Sequence, residues 1–64
     1  VLEYGRDILP VEVKLSSRVA YGDIQNILYF IGLNPRAVGG MIIYCGNRIQ
    51  KLSPNVFAIP WQLL

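Results

Sequence analysis

The stretch Ile8-Leu9-Pro10-Val11-Glu12-Val13-Lys14-Leu15 decides how this sequence folds. Pro10 lacks an amide donor and so marks a strand start or a sheet edge. After it, apolar and charged residues alternate with a period of two: Val11, Val13 and Leu15 take one side, and Glu12 and Lys14 the other. A carboxylate and an ammonium therefore stand side by side on one strand. Working outward toward the start, residues 1–4 alternate in the same way and Gly5-Arg6-Asp7 supplies a turn, which predicts a β-hairpin with 8–15 as its second strand.

Toward the end of the chain, 16–22 is polar and turn-like. Asp23 then reads as a helix cap, because Ile24, Ile27, Leu28 and Ile31 recur at i, i+3, i+4 and i+7. Gly32 fits the helix stop, and Asn34-Pro35 ends any continuation. Gly39-Gly40 introduces Met41-Ile42-Ile43-Tyr44-Cys45, an apolar run suited to an interior strand. Gly46-Asn47-Arg48 is a turn, 49–52 a short strand, and Val56-Phe57-Ala58-Ile59 a final strand stopped by Pro60.

The order strand, strand, helix, strand, short strand, strand predicts an α/β fold: a small mixed sheet with one crossover helix. A right-handed crossover makes the Val11 and Met41 strands parallel. Parallel strands want cover on both faces, and the chain supplies one clear helix, so one face of the sheet is expected to be bare and to meet a partner or further sequence.

Composition narrows the function. The chain has 64 residues and 7.2 kDa, room for one compact unit. It is 53% hydrophobic and only 16% charged, against roughly a quarter charged in ordinary soluble domains, which excludes disorder and suggests support from beyond its own core. The formal charge of +2 and pI of 9.0 come from six dispersed cations, Arg6, Lys14, Arg18, Arg36, Arg48 and Lys51, rather than a basic tail. A salt-sensitive nucleic-acid binder without chemistry is the weakest functional class on this count.

The sole cysteine, Cys45, cannot form an internal disulfide and reads as a small buried hydrophobe. Without histidine, neither the usual zinc sets nor a Ser-His or Cys-His nucleophile can be assembled. The longest apolar stretch, 37–46, has ten residues of which three are glycine, about half of a bilayer span. No Walker-type phosphate loop is present. A cytoplasmic protein with no membrane anchor is the expectation, and the start at Val1, without Met or a signal-like segment, reads as a fragment of something longer.

Carboxylate and lysine chemistry remains, and Glu12-Val13-Lys14 is the one constellation that resembles an active-site element. In metal-dependent phosphodiester cleavage the carboxylate holds Mg²⁺, and the lysine orients water and offsets phosphate charge. A plain charge pair on an exposed strand face explains the same triplet. Asp7 reads as a turn former. Tyr29 and Phe30 lie off the helical stripe and suit packing against another surface or stacking on bases. Arg18 and Arg36, near the helix ends, suit loops or phosphates.

The run from Ile8 to Ser17, followed by a helix, an apolar strand and Val56-Phe57-Ala58-Ile59-Pro60-Trp61, resembles the C-terminal PD-(D/E)XK nuclease-like domain of archaeal and bacterial AAA+ type ATPases. The resemblance covers essentially the whole chain, with sharp motifs only at 10–14 and at Ile59-Pro60-Trp61. It implies a partial restriction-endonuclease-like core over 1–64, with Glu12 and Lys14 in the E-x-K positions as catalytic residues and Glu12 as a metal ligand. The family's first acidic residue falls upstream of Val1, as do the preceding helix and the ATP-binding domain. The resemblance therefore implies a truncated domain inactive alone, with Mg²⁺-dependent cleavage of DNA or other nucleic acid confined to the intact protein. Glu3 is a candidate substitute metal ligand, with a solvent-facing hairpin glutamate as the alternative. The rival reading is an oligomerisation or docking module without catalysis, whose partner is a second copy or the missing N-terminal part of the same protein.

Overall fold

A computed structural model describes residues 1–64, apart from the side chain of Tyr4. It is a small mixed α/β protein with two sheets and one α-helix. The strands are β1 (Leu2–Tyr4), β2 (Asp7–Leu9), β3 (Val11–Val13), β4 (Gly40–Tyr44), β5 (Gln50–Ser53) and β6 (Val56–Pro60). The helix α1 (Tyr21–Leu33) joins β3 to β4, and a single 3-10 turn (Trp61–Leu63) follows β6.

β1 and β2 form the antiparallel hairpin expected at the start. Gly5 has φ of 61°, and it is the first of the two residues between the strands, where a type II′ hairpin turn needs glycine. The Arg36 guanidinium fastens this turn from outside: Nε donates to the Arg6 carbonyl at 2.7 Å and Nη2 to that of Gly5 at 3.5 Å.

The second strand does not run unbroken through 8–15. Pro10 divides it into β2 and β3, which belong to different sheets. Both pieces nevertheless run parallel to the approach and body of β4: Ile8 bridges Ala37, and Val11 is level with Met41. One residue more separates Ala37 from Met41 than Ile8 from Val11, so the pairing slips by one at Pro10, and such a slip exchanges the faces of a strand. Pro10 contributes through its carbonyl, which accepts the Met41 amide at 3.0 Å.

The main sheet has the order β3-β4-β6-β5, with β3, β4 and β6 mutually parallel and β5 antiparallel to β6. Residues level with one another share a face. One face carries Gly40, Ile42, Tyr44, Val56, Ala58 and Pro60, all buried, and α1 packs on it through Ile27, with Ile31 and Val19 alongside. Gly40 lies so close under the helix that a Cβ there would run into Ile27 Cγ2. Tyr44 is 1% exposed, and its hydroxyl is satisfied by donating to the Arg48 carbonyl at 2.5 Å and accepting from Gln50 Nε2 at 3.0 Å.

The helix starts two residues before Asp23 and ends one after Gly32. Ala20 is the N-cap. It has no side-chain oxygen to offer, so Asp23, at the third helical position, supplies the capping bond from within by accepting the Ala20 amide at 2.8 Å. Of the expected stripe Ile27 is buried, Ile24 and Ile31 are half-buried, and Leu28 is 37% exposed.

Candidate functional site

β3 is an edge strand whose charged side turns inward. Glu12 is level with Ile42 and Ala58, both 0% exposed, on the face that α1 covers. The ladder continues one residue past β3, where the Lys14 amide donates to the Ile43 carbonyl at 2.8 Å. Alternation therefore keeps Lys14 with Glu12 on the helix side, and the Lys14 ammonium forms an ion pair with the Asp23 carboxylate of α1. Their side chains are 25% and 19% exposed. The pair clamps the end of β3 to the first turn of the helix, where a carboxylate also complements the helix dipole.

Asp23 thus does more than cap. The hydrogen bond from Lys14 is the largest cause holding its carboxyl below the ordinary aspartate value. The Ala20 amide and the Lys14 charge act in the same sense, while desolvation opposes them. Glu12 has no such partner: its Oε2 is buried and meets no donor among the described residues.

An exposed strand face does not account for Glu12 and Lys14, since both are half-buried. The apolar side of β3 is the exposed one, with Val13 at 68% and Leu15 at 91%. Across the sheet this outer face reads Val11, Met41, Phe57 and Lys51 in one row, and Val13, Ile43 and Ile59 in the next. Among the described residues the one α-helix lies on the opposite face. Among the described residues no helix covers this face, which is apolar across β3, β4 and β6; Val13 stands open on it, while Val11, Met41, Ile43 and Ile59 are half-buried between their neighbours.

Glu3, the candidate second metal ligand, is on β1 in the hairpin sheet, whereas Glu12 is in the main sheet. Glu3 lines a cleft with Leu2, Asp7, Ile8, Leu9 and Val38, to which Glu12 does not contribute. Among the described residues, no three His, Cys, Asp or Glu side chains gather as a metal-binding group. Mg²⁺ is commonly held by one or two carboxylates together with waters and substrate phosphates. Here Glu12 offers one unpartnered oxygen, and Asp23 is engaged by Lys14.

Other expectations are met in part. Asp7 opens β2 directly after the turn. Tyr29 is 69% exposed and Phe30 half-buried, so the helix presents an aromatic outside its packed stripe. Arg36 serves the hairpin turn through backbone carbonyls. Cys45 is exposed rather than buried: the regular strand ends at Tyr44, and Cys45 leaves the sheet with its amide donating to the Ser16 carbonyl at 2.9 Å. The link between Lys14 and Asp23 escapes sequence reasoning, because a nine-residue separation across a turn has neither strand nor helix periodicity to reveal it.

No protein-family model matches the chain, and no curated protein or solved structure matches it. No helix is long and apolar enough to cross a membrane.

Proposed function

We propose that this chain is an interaction module, a partial α/β core of the restriction-endonuclease-like kind whose outer sheet face is completed by another polypeptide surface. One observation carries the reading: β3 turns its carboxylate and ammonium inward and its valines outward, extending the apolar rows of β4 and β6. Large exposed apolar patches mark interaction sites.

The test is substitution of the outer rows. Val13→Lys should change stability by no more than about 0.5 kcal/mol, as at an open surface site, and should reduce binding of a hydrophobic dye by the folded chain. A loss of several kcal/mol, or an unaltered dye signal, refutes an open docking face.

A second reading is favoured by the orphaned Glu12 oxygen. In it, Glu12 and Lys14 belong to a Mg²⁺-dependent nuclease formed only in a longer ATPase-type protein, where a further carboxylate from outside this chain completes the metal site. Full-length protein supplied with Mg²⁺ or Mn²⁺ and DNA should then cut, and Glu12→Ala and Lys14→Ala should each abolish cutting. Undiminished cleavage in both variants removes these residues from the mechanism.

A further inference from the structure

Resting on the docking reading, we infer that the occupant of the outer sheet face is an acidic amphipathic α-helix of a partner polypeptide, rather than a second copy of this chain. The strands under the face decide the shape of the occupant. β3, β4 and β6 are parallel, and parallel sheets take helices on both faces. β4 and β6 have five residues each, about 16 Å at 3.3 Å per residue. Helices rise 1.5 Å per residue, so roughly eleven residues, three turns, span that length. Val11, Val13, Met41, Ile43, Phe57 and Ile59 supply the floor for an apolar stripe recurring at i, i+3, i+4 and i+7.

Charge decides the occupant's sign. Lys51, level with Phe57 on β5, is the one charged residue in the outer rows, and among the described residues it makes no ion pair. None of the four Asp and Glu residues stands in these rows: Glu12 and Asp23 are on the helix side, and Glu3 and Asp7 belong to the hairpin sheet. A second copy would bring another Lys51 and no acid, while the chain's formal charge of +2 attracts an anion to the same border.

Two synthetic three-turn helical peptides with the same leucine stripe, one flanked by glutamates and one by lysines, probe the face by fluorescence anisotropy at low salt. The acidic peptide should bind about 3- to 10-fold tighter than the basic one, the range of one or two exposed charge contacts. Lys51→Glu should reverse the preference. Val13→Ser, on the edge strand, should weaken both peptides alike by removing apolar contact without adding charge, and Ile43→Ser should do so more strongly. Equal binding of the two peptides with an intact dye signal overturns the acidic helix while the docking reading stands. A sedimenting dimer that Val13→Lys dissociates overturns it in favour of a second copy. Absence of both peptide and dye binding overturns the docking reading itself.

Discussion

Replacing Glu12 by methionine should stabilise the fold, which is the reverse of the usual effect of substituting a half-buried strand residue. The folded chain buries Glu12 Oε2 without any hydrogen-bond donor among the described residues, on the face shared with Ile42 and Ala58. An unsatisfied buried polar atom costs about 1–3 kcal/mol, and more when it is charged. Only Oε2 is so buried, and the residue as a whole is half-exposed, so the relief expected is the lower part of that range, about 1–2 kcal/mol. Methionine conserves the length of the side chain and adapts to irregular gaps. In a domain of this size each kcal/mol moves the midpoint by roughly 4–8 °C, so the thermal transition should rise by about 4–16 °C. Urea unfolding should show a higher midpoint at an unchanged slope. Lys14→Met is the informative contrast: it strips Asp23 of its ion-pair partner and should destabilise. A Glu12→Met protein that is equal to or weaker than the parent would mean that the carboxylate has a stabilising partner, and that β3 carries no uncompensated charge.

Asp23 sets an acid limit on stability. Its carboxyl is held below the ordinary value, so its contribution is present above the unfolded aspartate value near 3.9 and is lost as pH falls through the lower folded value. Thermal midpoints measured from pH 7 to pH 2 should therefore drop at the acid end, and Asp23→Asn should flatten that part of the curve; an unchanged profile would deny the Lys14 pairing. Gly40→Ala should destabilise by about 1–3 kcal/mol in urea titration, because its new Cβ meets Ile27 Cγ2 and the helix must shift. Tyr44→Phe should cost about 1–2 kcal/mol by leaving the Arg48 carbonyl and Gln50 amide without their buried hydroxyl, with no change in circular dichroism. A neutral Tyr44→Phe would show that water replaces the hydroxyl.

The inward charges on β3 also suit an edge strand. Unpaired strand edges invite further pairing, and inward-pointing charged residues are one device that blunts them. Glu12 and Lys14 thus have a structural employment at an edge, apart from any chemistry in a longer protein. That Lys14 finds Asp23 while Glu12 finds nothing is what separates the two residues. The lysine is tied into the fold, and the carboxylate is the group whose burial the chain leaves uncompensated.

Local pattern alone was enough for the element order apart from the break at Pro10, for the parallel pairing of the Val11 and Met41 strands, and for the expectation of a sheet face without a helix. Alternation, helical spacing and glycine or proline turns are properties of neighbouring residues, and one helix cannot cover two faces. Which side of β3 meets the helix was not legible, because Val11-Glu12-Val13-Lys14 alternates equally well in either orientation. The helix, arriving over Ile42 and Ala58, made the charged side the inner one. Likewise the division at Pro10, the place of β6 between β4 and β5, and the pairing of Lys14 with Asp23 depend on partners brought together by the sheet. Such pairings join residues that are distant along the chain, and no short-range periodicity records them.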